Sequence, residues 1–223
     1  MTQTPRTPAP GPRHRPQRIA LPNKGTLAPG ARRLLTAAGY TCSTPDRLHR
    51  LDPRNNIEFL HIRARDIPRL IAHGHIDAGI TGRDLVADTP LPLVELLTLG
   101  FGHAQVRYAV PHHHPDTLNN LHGLRIATSL PHLTATDLAT HGIKADIIEM
   151  TGAVEIAIHL GLAHAIADVV DTGRTLNAHH LKTLGPPLIT TQAVLITTPA
   201  AATTPHIQSL TQRLMAALLP ATT

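Results

Sequence analysis

The chain has 223 residues, 42% hydrophobic but only 2% aromatic with no Trp, one cysteine and a formal net charge of +5. That length suits one large or two small domains, the scarcity of aromatics argues against nucleic-acid binding by base stacking, and the lone Cys42 excludes an intrachain disulfide. No apolar run approaches a membrane span and no apolar stretch follows the basic N-terminus, so a reducing, cytoplasmic setting without membrane or nucleic-acid partners is expected, with an anionic substrate suited to the charge.

Residues 1–17, MTQTPRTPAPGPRHRPQ, are Pro-rich, polar and basic, and read as a disordered, solvated extension. RIALPNKG then gives a short apolar strand and a Gly turn. LAPGARRLLTAAGY reads as a helix ending at Gly39, and a Pro-, Asp- and Arg-rich loop follows. IEFLHI is a strand and ARDIPRLIAHG a helix, with Pro68 tolerated in its first turn and Gly74 past its end. IDAGITG, LVELLTLG and HAQVRYAV read as strands, with a short helix at RDLVAD. The alternation then restarts. LRIATS, ADIIEM, AHAIADVV and QAVLITT are strands; LTATDLATHG, AVEIAIHLG and GRTLNAHHL are helical; and TPHIQSLTQRLMAALL is amphipathic, with Ile207, Leu210, Leu214 and Leu218 on one face. Strand–helix alternation of this kind predicts α/β architecture with sheets covered on both faces. The expected arrangement is two lobes around a central cleft, with residues 18–103 and 194–223 in the first lobe and 104–193 in the second.

Ligands of open α/β sheets bind beyond the carboxyl ends of the strands. The strand end at Asp168–Leu176, DVVDTGRTL, is the most informative. A Gly lets backbone amides turn toward an anion, flanking Thr hydroxyls add donors, and a following helix adds its positive end. Asp168 and Asp171 would repel that anion, so they must face another part of the ligand, such as ribose hydroxyls or Mg²⁺. From the residues alone, a helix cap with Thr172 and Gly173 at the turn is an equal alternative. His112–His114, His73 with His75, and His179–His180 read as solvated surface in a chain biased toward His.

The run TGAVEIAIHLGLAHAIADVVDTGRTL resembles the pattern of the ATP phosphoribosyltransferase family: Glu155, Gly161, Ala163, Ile166, Asp168, Thr172, Gly173, Thr175 and Leu176 keep its spacing. RIALPNKG, EFLHIRARDIP, IDAGITGRDLV, ELLTLGFG and LRIATSLPHLT resemble the same family in the same order, over about residues 18–198. The resemblance implies a type II periplasmic-binding-protein-like fold. It also implies transfer of the 5-phosphoribosyl group of phosphoribosyl pyrophosphate (PRPP) to N1 of ATP, the first step of histidine biosynthesis, with Mg²⁺ as cofactor. Carried over by position, Asp171, Thr172, Gly173, Arg174, Thr175 and Leu176 should hold the 5-phosphate, and Glu155 and Asp168 should face the ribose. Lys24, Gly25, Arg63, Arg65, Asp66, Arg83 and Asp84 should lie on the ATP and pyrophosphate side. Mg²⁺ should enter with PRPP, with Asp168 or Asp171 as candidate ligands, and no acid–base residue is assigned.

Three positions depart from the pattern: Thr26 stands where Arg is usual, His164 where Asp is common, and Asp171 where Ser or a similar residue precedes the turn. The chain's extent resembles the short form of the family, which implies a homo-oligomer or a hetero-oligomer with a synthetase-like regulatory subunit. The alternatives are a diverged paralog with another acceptor and a non-catalytic small-anion-binding protein.

Overall fold

The central apolar runs that read as strands, AGITG and AVLIT among them, are buried on both faces, whereas VELLT and DIIE keep exposed positions. The computed structural model describes residues 15–42 and 47–219. Its first half contains β1 (Gln17–Pro22), α1 (Leu27–Ala37), β2 (His49–Asp52), β3 (Ile57–Ile62), α2 (Ile67–Ala72), β4 (Ala78–Gly82), α3 (Arg83–Ala87) and β5 (Val94–Thr98). Its second half contains β6 (Ala104–Pro111), β7 (Arg125–Thr128), α4 (Pro131–Thr140), β8 (Asp146–Glu149), α5 (Ile156–His159), β9 (Ala165–Val170), α6 (Arg174–Ala178), β10 (Leu181–Thr191), β11 (Ala193–Thr197) and α7 (Pro205–Leu218).

The strands form two sheets, ordered β2-β3-β1-β4-β11-β5 and β10-β6-β9-β7-β8. In the first, β1 lies parallel to β3 and β4, and β11 inserts antiparallel between β4 and β5. In the second, β7 is parallel to β8 and β9, while β6 runs antiparallel to β9 and β10. The chain passes between sheets after Thr98 and returns at Gln192.

Each sheet is covered on both faces, which is why its central strands need no polar side. On the first, α1 and α7 bury Leu34, Leu35, Ile207, Leu210 and Leu214 with Phe59 and Leu195; α2 covers the opposite face with Ile67 and Ile71. On the second, Leu138 of α4 packs with Tyr108 and Ile126, and Ala157 and Leu176 pack with Ile166 on the other side. Burying such faces, at about 25 cal/mol per Å² of apolar surface, is the main source of stability in a core with so few aromatics.

Four expectations need revision. The loop after Gly39 contains β2, an edge strand antiparallel to β3. β10 crosses a Gly-Pro-Pro sequence unlike a strand, yet it forms because it is an edge: Gly185 has φ +65° and the pairing shifts register between Leu184 and Ile189, so the prolines need no ladder bond. The helix expected through His179 and His180 stops at Ala178, with His180 in the left-handed region and Leu181 already in β10. Leu218 is 36% exposed, so the buried face of α7 ends at Leu214. Residues 1–14 of the expected extension lie outside the described residues, whereas Gln17 pairs in β1 and Arg15 pairs with Asp77 at 2.8 Å.

Candidate active site

At the end of β9 the chain turns through Asp171, Thr172 and Gly173 into α6. Gly173 has φ +73°, a left-handed conformation that favours glycine, and nothing lies within 4 Å of where a Cβ would sit. The glycine is therefore set by backbone angle, and the space beside it is open. The amides of Thr172, Gly173, Arg174 and Thr175 donate to no backbone acceptor among the described residues. Buried or ligand-facing amides need partners, so a turn with several unused donors suits an anion. α6 is too short for its dipole to dominate, so the turn's amides and the Thr172 and Thr175 hydroxyls carry the electrostatics.

This turn forms one wall of a cavity of about 440 Å³. Glu155, Asp168, Asp171, Thr172, Gly173, Arg174, Thr175 and Leu176 all line it, with Ala153, Ile166, Val169 and Val170. All the residues expected on the PRPP side are thus brought together. Burial, aided by the nearby Glu155 charge, raises the Asp168 carboxyl above the ordinary carboxylate range, with the neighbouring Val169 amide, Ser129 and the Arg65 charge working the other way. Glu155 precedes α5 and lies 3.9 Å from Nε2 of His179. Ala153, at the cavity edge, has φ +48°, an uncommon angle for a residue with a Cβ.

A second cavity, about 310 Å³, lies between the lobes. The first lobe contributes Lys24, Gly25, Thr26, Leu27, Ala64, Gly82, Asp84 and Leu85; Gly102 and His103 come from the crossing, and Ala104, Val169, Asp171 and Thr191 from the second lobe. Asp84 is buried, its carboxylate accepting from the Thr191 hydroxyl at 2.6 Å while its own amide donates to the same hydroxyl at 3.1 Å. Burial raises its carboxyl, against which Thr191 and the Arg65 charge work. Gly82 leaves room for that carboxylate: a Cβ there would meet Asp84 Oδ1 at 2.4 Å.

Lys24, Gly25 and Asp84 therefore meet as the sequence suggests. Arg63, Arg65, Asp66 and Arg83 line neither cavity. Arg63 and Asp66 are exposed, and Arg83 is committed to Glu95, donating from Nε at 2.9 Å. Arg65 is half-buried, and its charge reaches Asp84, Asp88 and Asp168, so it acts on the cleft through its field. Thr191, Gly102, His103 and Ala64 line the second cavity and were not assigned from sequence alone. Gly102 follows a strand, a signal that could have found it; Thr191 ends the Pro-interrupted β10. Of the departures, Thr26 lines the second cavity, whereas His164 lies outside both and accepts from the Arg125 amide at 3.1 Å. His112, His113, His159, His179 and His180 surround a third, open cavity that shares Glu155 with the first. No group of three or more His, Cys, Asp or Glu among the described residues is arranged to hold a metal ion.

Two covered sheets facing a cleft, with an anion-type turn on one side and a buried carboxylate on the other, define a two-lobed, type II periplasmic-binding-like α/β protein, the architecture expected from the sequence. The profile of the ATP phosphoribosyltransferase family matches residues 63–216. The chain is 49% identical over 180 residues to the ATP phosphoribosyltransferase of Rhodococcus jostii RHA1, a match covering 80% of this chain and 64% of that protein. It is likewise 49% identical to the enzyme of Mycobacterium tuberculosis H37Rv, over 80% of this chain and 63% of that protein. The chain belongs to the ATP phosphoribosyltransferase family, and spans less than two thirds of the length of these relatives. Among solved structures it is similar in fold to the ATP phosphoribosyl transferase (HisG:HisZ) complex from Thermotoga maritima, with a TM-score of 0.79, 24% identity and coverage of 91% of this chain and 98% of that one. It is similar also to Tv2483 bound to L-arginine, with a TM-score of 0.59, 14% identity and coverage of 91% and 83%.

Proposed function

We propose that the chain transfers the 5-phosphoribosyl group of PRPP to N1 of ATP, giving N1-(5-phosphoribosyl)-ATP and pyrophosphate, the first step of histidine biosynthesis. The observation that carries this reading is the pair of adjoining cavities: one gathers every donor-side residue, and the other is lined by Lys24, Gly25 and Asp84 from the opposite lobe.

In this reading the second lobe, residues 104–193, holds the donor. The Asp171–Leu176 turn receives the 5-phosphate on its unused amides and Thr hydroxyls. Asp168 and Glu155 accept from the ribose hydroxyls, fixing the ring so that C1 faces the second cavity. The first lobe, residues 18–103 and 194–223, holds ATP, with Lys24 near phosphate and Arg65 adding positive potential across the cleft. Loss of pyrophosphate leaves an oxocarbenium-like ribose. Positioning and charge stabilise such a transition state without a dedicated acid or base. Mg²⁺ supplies charge neutralisation of the leaving pyrophosphate when bound. The residues present would fit a metal that enters with the donor: Asp168, which lines the donor cavity and not the acceptor one, would hold it together with the donor's own oxygens.

The working assembly is an oligomer, with a synthetase-like regulatory subunit as the candidate hetero-partner, and the setting is cytoplasmic. No helix among the described residues is long and apolar enough to cross a membrane. The test is incubation of the protein with ATP, PRPP, Mg²⁺ and pyrophosphatase, followed by mass spectrometry for phosphoribosyl-ATP. Product establishes the reaction; donor binding without product points to a required subunit or another acceptor; neither product nor donor binding defeats the reading.

A further inference from the structure

Val169 and Asp171, on either side of Val170 at the end of β9, line both cavities. The significance of that shared wall rests on the phosphoribosyl-transfer reading. Transfer bonds an atom of the acceptor to C1 of the donor ribose, so the two reacting atoms must meet at the wall common to both cavities. Val169 offers only carbon there; Asp171 brings a charge. Of these two cavities, Asp168 and Glu155 line only the donor one and Asp84 only the acceptor one. Asp171 is exposed to the cleft and has no ion pair among the described residues.

The chemistry at that wall generates positive charge. The N1 lone pair of the adenine becomes the new N1–C1 bond. The C1–O bond breaks, and its electron pair leaves with pyrophosphate. The base, neutral beforehand, then carries a positive charge shared over N1, C6 and the exocyclic N6, until an N6 proton is lost to water. A fixed carboxylate beside developing positive charge lowers the barrier most when it is preorganised. We infer that Asp171 stabilises the cation formed on the acceptor base, accepting a hydrogen bond from its exocyclic N6–H₂ group, and so selects a 6-amino over a 6-oxo purine. A 6-oxo acceptor would set a carbonyl oxygen against the carboxylate, an unpaired repulsion that discriminates more strongly than a lost contact.

The test uses the full chain as wild type, D171N and D171S. Calorimetry measures binding of ATP, of 1-methyl-ATP, whose base is already a cation, and of PRPP; steady-state rates with ATP are taken alongside over a range of Mg²⁺. Wild type should bind 1-methyl-ATP roughly tenfold more tightly than ATP, as expected for one added close charge pair in a cleft. In both variants that preference should fall toward unity, with PRPP affinity within about twofold and kcat reduced about tenfold or more. A preference unchanged by either substitution overturns the assignment, as does a raised Mg²⁺ requirement with base preference intact, which would make Asp171 a metal ligand. Product formed by D171N at the wild-type rate discards the role of Asp171 and leaves the transfer reading standing. Failure of wild type to bind either ATP or PRPP defeats the transfer reading and this inference together.

Discussion

Two carboxylates at the cleft differ in what surrounds them, and those surroundings assign them different work. Asp168 lines the donor cavity, with burial pushing its carboxyl up and the Val169 amide, Ser129 and the Arg65 charge opposing that rise. In the proposed site it accepts from ribose hydroxyls, which requires the ionised form. Donor binding should therefore weaken on acidification from a pH above the ordinary Asp value of about 3.9, because the free-site carboxyl takes up its proton early. Asp168→Asn should weaken PRPP binding by roughly 10- to 150-fold, the equivalent of one charged hydrogen bond at about 1.5–3 kcal/mol, measurable by calorimetry. Unchanged affinity would count against the donor assignment. Asp84 is a different case, since it is buried and paired with the neutral Thr191. Its carboxyl is raised in the folded chain, so ionisation is less favourable folded than unfolded. The stability it lends is present at low pH and declines as pH rises from the unfolded value near 3.9 through the raised folded one. Asp84→Asn keeps an acceptor oxygen for Thr191 and cannot ionise. The fall of Tm between pH 4.5 and pH 7.5 should then be shallower than in wild type; an identical pH slope would show that Asp84 does not govern it.

At the level of elements, the strand–turn–helix unit β9–Gly173–α6 is where local sequence most directly sets the site. Gly173→Ala would place a Cβ on a left-handed residue at a cost of roughly 1–2 kcal/mol, although no atom stands in its way. The expected result is a Tm lowered by a few degrees together with a weaker PRPP affinity; a normal Tm with normal affinity would mean the turn tolerates another backbone geometry. This unit was legible beforehand because Val-rich strand, Thr-Gly turn and helix follow one another within nine residues of Asp168 to Leu176. The strands with continuous apolar runs, such as β4 and β11, were equally legible, since burial on both faces leaves a plain hydrophobic signature. β2 and β10 were not. Both are edge strands, whose exposed side permits Arg50, Gly185 or Pro186 where a central strand would reject them. For the same reason Thr191, at the end of β10, escaped notice as the partner of Asp84. Arg83, placed on the nucleotide side by the family resemblance, lines neither cavity because Glu95 on β5 captures its guanidinium, a pairing that the local sequence around Arg83 does not announce.

The whole molecule is organised around two crossings that lie side by side. The amide of Leu99 donates to the carbonyl of Ala193 at 2.9 Å, the amide of Ala193 to that of Phe101 at 2.9 Å, and the amide of Gly100 to the Gln192 side chain at 3.2 Å. The outgoing segment contains Gly100 and Gly102, both at positive φ, which lets a short bonded pair of segments serve as a hinge. Away from the hinge, the lobes are tied by Asp88 at the end of α3. Its carboxylate accepts from the Leu133 amide at 3.0 Å, in the first turn of α4 on the other lobe. Leu130, at the N-cap of α4, has no side-chain acceptor of its own, although Thr128 of the same lobe accepts from its amide at 2.9 Å. An N-terminal cap is worth about 1 kcal/mol, and here it also opposes separation of the lobes. Asp88→Ala should therefore shift the ligand-free protein toward a more open form, raising its radius of gyration in solution scattering, with the difference lost once donor and acceptor saturate the cleft. Because closure must then be driven by ligand binding, KM should rise for both substrates together by about fivefold for 1 kcal/mol, while kcat in the closed complex is retained. A variant that loses stability but keeps wild-type scattering and KM values would make Asp88 a helix cap that happens to come from the opposite lobe, with no part in setting the opening of the cleft.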